Sequence, residues 1–380
     1  MRYIKWLLAI LVLIGVSVNI PNSWLYDNYK ESALFVEQVG NFSLTSNAIV
    51  MNEADRNQLD IAYGLDSWSD VLVCPAHPLY VGEGVGLSML QDDSERQPYP
   101  RYWHGTAYII RILLIFFDLF EIRCILLGTY LVLMMLTTYL MCRKGQWRLA
   151  MAYLLGNICA ESFGNAYICM TMPVWIIMTM CVWLVLAGKK VDYIIVGFLT
   201  VFFDYLTCET LTLTMPVVIS LVLAKEVNVL RSIIEWSSGY LGGWLLRFGL
   251  CAITGNFANV ATGFEVHSDL LTDNIFTEII NSLYFNFRNT IPLCYISNTT
   301  VVIVLLLVFY VYIIARYRKV LRSYALILSI PILRLIVLSS HSLEHSFYMF
   351  RSLEPMLLVI SYCIVSKPFK CKLGIEAFKR

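Results

Sequence analysis

Long runs of apolar residues separated by short polar links dominate the last two thirds of the chain. Several runs reach about 16–24 residues, the length that a helix needs to cross roughly 30 Å of hydrocarbon. They predict transmembrane helices at about 124–142, 147–162, 170–187, 191–206, 208–224, 231–254, 299–315, 322–339 and 352–366. Another apolar run, at about 6–20, follows Arg2 and Lys5 without an evident A-x-A-like cleavage site, which favours a retained first helix. The pattern predicts an all-α polytopic membrane protein with about ten transmembrane helices.

The polar positions divide the chain into further parts. After the first helix (1–20), the stretch 21–103 is predicted to be a large extracytoplasmic loop bearing short helices, because between Pro21 and Pro100 it has twelve acidic residues and three basic ones. A short interfacial helix is predicted at 104–123, since its apolar part is too short to span a bilayer. The remaining parts are a transmembrane bundle at 124–254, a second extracytoplasmic loop at 255–297, a further bundle at 298–366 and a basic tail at 367–380.

The composition agrees with a membrane protein and excludes several other classes. Apolar residues make up 58% of the chain and charged residues 14%, whereas a soluble domain has about 25% charged residues. A net charge of +1 leaves no basic field for nucleic acid. The eleven cysteines include no CxxC pair, so neither a disulfide framework nor a zinc site is predicted.

The basic residues indicate how the chain is oriented in the membrane. Eighteen of the 28 Lys and Arg residues lie in the N-terminus, the C-terminal tail and four links, namely 143–148, 189–190, 225–231 and 316–322. Cytoplasmic segments are enriched in Lys and Arg. We therefore expect a multi-pass protein of the cell membrane with both termini in the cytoplasm and the large first loop outside.

Charged side chains near the predicted outer ends of helices are candidates for a binding site. They are Asp204, Glu209, Arg247, Arg351 and Glu354, and all five histidines also fall in segments assigned to the outer side. Arg334 lies within an apolar run, where an arginine costs roughly 2.5–3.5 kcal/mol unless it faces a cavity or a partner. Each charge alone fits an interfacial position or a helix–helix salt bridge, but together they favour a polar cavity that opens outward. By contrast, Arg111 and Arg123 are predicted to be plain surface charges.

Two local patterns have the spacing of known chemical groups. Asp66 and Asp70 are four residues apart and share one face if the segment is helical, which suits a base or a cation site, although a solvated acidic loop has the same pattern. His341 and His345 form an HxxxH pair, but no third ligand is visible. We therefore predict no metal site from the sequence, and a divalent cation remains a possible cofactor.

The order of these parts resembles the GT-C superfamily of lipid-carrier-dependent membrane glycosyltransferases, and most closely uncharacterised bacterial GT-C-like proteins. Their LDxxTD element corresponds to Leu65–Asp70, with Ser69 in place of Thr, and their RYWHG element is intact at 101–105. FFDFLT followed by LTL and a proline corresponds to 202–207, 211–213 and Pro216. HxFFxYR corresponds to His345–Arg351, with Phe350 in place of Tyr.

The resemblance implies transfer of a sugar from a polyprenyl-phosphate carrier to a glycan or lipid acceptor at the outer membrane face, with inversion at the anomeric carbon. Asp66 or Asp70 would act as the base for the acceptor hydroxyl, with the choice between them open. The lipid phosphate and substrate would be bound by Arg101, His104, Asp204, Arg247, His345 and Arg351. The implied partners are the lipid-linked sugar donor, the acceptor and membrane lipids.

Three other functions are compatible with the same residues. A polysaccharide polymerase or lipid-linked oligosaccharide handler would need the arginines but not the acids. A transporter would use Asp204, Arg247 and Arg334 as a pathway, although the sequence has no evident inverted repeat. A scaffold or assembly factor would tolerate substitution of the whole outer cluster.

Overall fold

The structure is a computed structural model that describes residues 2–25, 27–28, 30–32, 80–81, 97–98, 102–103, 105–163, 171–204, 206–253, 275–291, 293, 301 and 324–366. The described chain is all-α apart from one antiparallel pair of two-residue strands, Tyr80–Val81 (β1) and Gln97–Pro98 (β2). The helices are α1 (Arg2–Val18), α2 (Gly105–Leu113), α3 (Leu119–Arg143), α4 (Trp147–Cys159), α5 (Met172–Leu186), α6 (Tyr193–Phe203), α7 (Leu211–Val222), α8 (Val229–Ile253), α9 (Ile275–Arg288), α10 (Tyr324–Val337), α11 (Ser339–Glu344), α12 (Ser346–Met349) and α13 (Glu354–Val365). Short 3₁₀ turns lie at Asn22–Trp24 and Phe350–Leu353.

The all-α class is confirmed, but the prediction of about ten transmembrane helices is not. Among the described helices, α3 is the one that is both long and apolar enough to cross a membrane. The apolar helices at Lys5–Ser17, Met172–Leu186, Tyr193–Phe203, Leu211–Val222 and Tyr324–Val337 have 10–17 residues. Polar residues end several helices earlier than the apolar runs suggest: α6, for example, stops at Phe203, before the extended backbone of Asp204.

A capping box determines where α3 begins. The Asp118 carboxylate accepts a hydrogen bond from the Glu121 backbone N–H at 2.9 Å, and the Asp118 N–H donates to the Glu121 carboxylate at 3.1 Å. Such a cap stabilises a helix start by about 1 kcal/mol. Residues 119–123 of the predicted interfacial segment therefore belong to α3, and the short helix α2 ends earlier, at Leu113.

The prediction that Arg111 and Arg123 are surface charges is wrong, because both side chains are buried. Arg111 donates hydrogen bonds to the carbonyl oxygens of Ser17, at 2.9 Å, and Ile20, at 2.8 Å. These carbonyls lie at the C-terminal end of α1, where a cation is favourable. Arg111 therefore joins α2 to the end of α1.

Small residues let α6 and α8 approach closely. A Cβ atom added at Gly239 would overlap the Ile194 carbonyl oxygen, and one added at Gly197 would overlap the Trp236 carbonyl oxygen. Gly239 and Gly243 are four residues apart on α8, the spacing of the small residues at close helix crossings in membranes. Backbone contact at these glycines brings α6 and α8 together.

Loop contacts in the described chain fall into two groups. In the first group, the Glu161 carboxylate contacts Arg351 and joins the end of α4 to the 3₁₀ turn at 350–353, while Glu209 contacts Arg334 and joins the α6–α7 loop to α10. The links at 188–193 and 225–235 line one cavity together. The first group contains segments predicted to be extracytoplasmic, and the second contains segments predicted to be cytoplasmic.

We predict that Gly239→Ala destabilises the protein by about 1–3 kcal/mol, because the new methyl group overlaps the backbone of α6. Gly242→Ala is the matched control, since a Cβ atom there meets no atom within 4 Å. Thermal unfolding of the purified full-length variants measures the difference. Equal melting temperatures for the two variants would contradict the close crossing.

Candidate functional site

The loop between α6 and α7 is polar and buried, and it contains most of the FFDYLT segment. Asp204, Thr207 and Glu209 all have buried side chains. The Asp204 carboxylate accepts hydrogen bonds from the Thr207 backbone N–H at 3.1 and 3.2 Å and from the Thr207 hydroxyl. Leu206 adopts the left-handed backbone conformation, with φ of 63°. The Asp204 side chain therefore holds a tight turn that directs the Leu206 carbonyl group and Glu209 towards the neighbouring helices.

Arg334 of α10 contacts this loop through two of its guanidinium nitrogens and contacts Ser342 of α11 through the third. Its Nε lies 2.8 Å from Glu209 Oε1, its Nη2 donates to the Leu206 carbonyl oxygen at 2.7 Å, and its Nη1 donates to Ser342 Oγ at 2.6 Å. The Arg334 side chain is 7% exposed and that of Glu209 is 4% exposed. Arg334, which lies inside an apolar run of the sequence, therefore has a carboxylate partner that offsets the cost of burying its charge.

Two histidines extend the cluster towards the HSFYMFR segment. His341 Nε2 lies 3.2 Å from the Leu206 carbonyl oxygen, and the His341 and His345 ring centroids are 4.6 Å apart. The His345 ring is stacked on Tyr348 at 5.3 Å. The FFDYLT and HSFYMFR segments are therefore neighbours in space although about 140 residues separate them in the sequence.

The two carboxylates of this loop, those of Asp204 and Glu209, are both buried. Glu209 Oε2 is buried and has no hydrogen-bond partner within the described part of the chain. One carboxylate oxygen of the loop therefore stays available to a hydrogen-bond donor.

A second buried network lies beside this loop. Arg351 is fully buried, pairs with the Glu161 carboxylate and donates from Nε to the Glu161 carbonyl oxygen at 3.1 Å. Glu354 accepts hydrogen bonds from Ser162 at 2.7 Å and Asn157 at 3.0 Å. These contacts join the end of α4 to the 3₁₀ turn at 350–353 and to α13.

The described end of the RYWHG segment packs against the start of the FFDYLT segment. The Trp103 ring lies 5.8 Å from the Phe202 ring, and its Nε1 donates to the Gly243 carbonyl oxygen at 3.0 Å. A Cβ atom added at Gly105 would overlap the Phe202 carbonyl oxygen, so this position requires glycine. The guanidinium carbon of Arg247 lies 5.6 Å from the centre of the Trp103 ring. This cation–π contact connects α8 to the RYWHG segment.

Of the predicted site residues, Asp66, Asp70, Arg101 and His104 lie outside the described residues, and Asp204, Arg247, His345 and Arg351 lie within them. Their predicted roles stay predictions. The structure brings Asp204 and His345 to the same polar cluster, places Arg247 at Trp103 and buries Arg351 against Glu161. Sequence reasoning did not select Glu161, Asn157, Ser162 or Ser342, because polar residues next to a predicted helix end carry no separate signal.

The described residues include no group of three or more His, Cys, Asp or Glu side chains arranged to hold a metal ion. The site as described thus consists of arginines, carboxylates, hydroxyl groups and histidines. These groups can bind a phosphate or a sugar hydroxyl and can transfer protons.

No protein-family model, curated protein or solved structure matches this chain. The GT-C resemblance accordingly depends on the four motif segments of the sequence.

We predict that Arg334→Gln lowers the free energy of unfolding by about 3–5 kcal/mol, because Glu209 would remain buried without its partner. The matched control is Arg231→Gln, which removes the exposed Arg231–Glu235 pair and should cost less than about 1 kcal/mol. The Arg334→Gln, Glu209→Gln double variant should recover part of the loss. Denaturant unfolding of the purified variants measures all three, and a loss of similar size for both arginines would contradict the buried pair.

Proposed function

We propose that the protein is a multi-pass membrane glycosyltransferase that moves a sugar from a polyprenyl-phosphate carrier to a cell-surface glycan or lipid acceptor at the outer face of the cell membrane. The observation that carries this proposal is the meeting of three motif segments that are far apart in the sequence. Trp103 and Gly105 pack on Phe202, and the loop after Phe202 contacts His341, whose ring centroid lies 4.6 Å from that of His345 in the third segment. A family motif set is expected to converge when its members bind one substrate.

The distribution of apolar side chains supports the membrane location. Large apolar residues are widely exposed on the outer faces of several helices, including Leu11, Val132, Leu245, Val337 and Ile364, and Leu245 is 72% exposed. In contrast, charged residues such as Arg334, Arg351 and Glu354 are buried inside. Exposed apolar faces of this extent are typical of surfaces that contact lipid. Both termini are placed in the cytoplasm by the distribution of basic residues.

The proposed reaction is a direct displacement at the anomeric carbon. Asp66 or Asp70 takes the proton of the acceptor hydroxyl as the oxygen attacks C1, and the bond from C1 to the carrier phosphate breaks. The electron pair leaves with the phosphate oxygen, so the configuration inverts and no carboxylate nucleophile is needed. The partners are the lipid-linked sugar, the acceptor and the surrounding lipids. The two aspartates are also the residues that would hold a divalent cation if one takes part.

Two of the arginines predicted to bind the phosphate, Arg247 and Arg351, lie within the described residues, and they differ in their suitability for this role. Arg247 is half-exposed and lies over the Trp103 ring, beside the RYWHG segment that contains Arg101 and His104. Arg351 is fully buried and already forms a fork with the carboxylate and carbonyl groups of Glu161. We therefore assign the leaving phosphate to Arg101, His104 and Arg247, and we assign to Arg351 the positioning of the turn at Glu161.

We predict that Asp66→Asn and Asp70→Asn reduce glycan transfer, with at least one of them lowering it by about 10²–10⁴-fold, because a general base is lost. Asp92→Asn is the control, since it removes an acid of the same loop that lies outside the motif. The variants would complement a deletion in cells that make the protein. Mass spectrometry of surface glycans and lipid-linked sugars measures the product, and membrane fractions measure insertion.

Full transfer by both Asp→Asn variants would contradict the proposed base. Loss of transfer with the Asp92→Asn control would instead indicate a general effect of loop charge. An unchanged glycan profile in the deletion strain itself would overturn the glycosyltransferase assignment.

We predict that Arg247→Gln and Arg351→Gln affect the protein in different ways. Arg247→Gln should lower transfer by about 10²-fold, the typical effect of losing one transition-state donor, with an unchanged melting temperature. Arg351→Gln should lower the melting temperature, because it leaves Glu161 buried without its cation. The two measurements are glycan analysis and thermal unfolding. A lowered melting temperature for Arg247→Gln with normal transfer would contradict the assignment of the phosphate.

One observation favours a transporter as the second candidate. Asp204, Glu209 and Arg334 lie together in the interior, as charged residues along a substrate pathway do. However, Arg247, the third residue predicted for such a pathway, lies at Trp103 and not in this cluster. A transporter would retain function in Asp66→Asn and Asp70→Asn, so the same experiment separates the two candidates.

A further inference from the structure

A cavity of about 450 Å³ lies at the end of the bundle opposite the motif segments, between the α5–α6 and α7–α8 links. Its basic lining residues are Lys189, Lys190, Lys225 and Arg231, and its acidic ones are Glu226 and Glu235. The volume falls in the range of pockets that hold small ligands, roughly 300–1,000 Å³. Four basic side chains against two acidic ones give the lining a net charge of +2.

The basic side chains of the cavity are not equivalent. Arg231 pairs with Glu235 at 2.7 Å, which neutralises one charge of each sign. Lys189 and Lys190 are exposed and form no ion pair with the described part of the chain. Hence the two adjacent lysines supply the positive charge that an incoming anion would meet.

Two helices also begin at the cavity. Tyr193, the first residue of α6, lines it, as does Asn228, whose side chain accepts a hydrogen bond from the Arg231 backbone N–H in the first turn of α8. The N-terminal end of a helix carries a partial positive charge and favours anions. The Asp192 carboxylate accepts a hydrogen bond from the Ile195 N–H and offsets part of the positive potential at the start of α6. The lysines therefore remain the principal source of attraction for an anion.

Lys225 connects the cavity to the rest of this end of the molecule. It is half-buried and donates a hydrogen bond to the Val185 carbonyl oxygen near the end of α5. Burial lowers the pKa of Lys225, and the positive charge of Lys144 lowers it further. An ammonium group that is partly removed from water and close to another cation gains stability when an anion binds nearby.

We propose that this cavity binds the phosphate group of an anionic phospholipid at the cytoplasmic face, with Lys189 and Lys190 as the residues that select the anion. The proposal depends on the membrane location given above but not on the transfer reaction. A basic pocket between helix ends at this face is the arrangement that recognises anionic headgroups. Ser232 lines the same cavity and offers a hydroxyl group to headgroup oxygens, whereas the Ser220 hydroxyl donates to the Pro216 carbonyl oxygen at 2.8 Å.

The test compares lipid binding by full-length protein variants using native mass spectrometry. Phosphatidylglycerol and phosphatidylcholine are added to purified wild-type protein, to the Lys189→Gln, Lys190→Gln double variant and to an Arg143→Gln, Arg148→Gln double variant. The control removes the same charge from exposed positions of the neighbouring α3–α4 link, outside the cavity. We expect the preference for phosphatidylglycerol to fall about tenfold in the lysine variant and to persist in the control.

Each other outcome has a definite meaning. Equal losses in both double variants would overturn the cavity and leave a general charge effect, and equal binding of the two lipids by the wild-type protein would overturn the anion preference. Inorganic phosphate that displaces phosphatidylglycerol from the wild-type protein supports the phosphate as the recognised group. Binding of inorganic phosphate without binding of the lipid would overturn the lipid as its source. Asp66→Asn should bind phosphatidylglycerol normally, so failure of the transfer proposal is seen separately.

Discussion

The pairing of buried arginines with carboxylates is the constraint on which the structure most depends. A guanidinium group inside an apolar helix bundle has no water to solvate it, so protein groups must supply both countercharge and hydrogen bonds. Arg334 obtains them from Glu209, Leu206 and Ser342, and Arg351 obtains them from Glu161. These contacts join the last helices to loops more than 100 residues earlier in the sequence. Together with the Asp204–Thr207 and Ser162–Glu354 hydrogen bonds, they hold the 204–210 loop and the turn at Glu161 in position.

The same requirement explains how the irregular backbone between α10 and α13 is tolerated. The helices in this region are interrupted at Leu338, at His345 and at the 3₁₀ turn of 350–353. Side chains of α9 and its C-terminal end supply the missing partners: Asn286 donates to the Ser342 carbonyl oxygen at 2.9 Å, and Asn289 donates to that of Ser346 at 3.0 Å. Broken helices persist at membrane depth where neighbouring protein groups satisfy them. The polar side chains at α9 therefore hold the segment that contains His341 and His345 beside the 204–210 loop.

The sequence predicted most of the described helices, because each apolar run is bounded by charges, turns or glycines. The predicted helix at 299–315 lies outside the described residues apart from Val301, and the sequence did not predict α9, which lies in the stretch 255–297 assigned to an extracytoplasmic loop. It predicted helix ends less well, since Glu121 and Arg123 look like a polar interruption whereas Asp118 and Glu121 form the cap that starts α3. It identified Arg334 as a charge that needs a partner. It could not identify Glu209 as that partner, because no local pattern links two residues 125 positions apart. Glu161 was missed for the same reason. The proposed base, Asp66 or Asp70, lies outside the described residues, so that part of the site rests on the motif.

The charge balance of the interior bears on where a lipid phosphate can bind. The two networks contain four carboxyl groups, those of Glu161, Asp204, Glu209 and Glu354, and two arginines, Arg334 and Arg351. With all of them ionised the interior carries more negative than positive charge, which disfavours the binding of a phosphate there. Arg247 lies outside these two networks, over the Trp103 ring. Under the proposed function, the buried networks therefore hold the loops in place, and the Trp103–Arg247 side receives the phosphate.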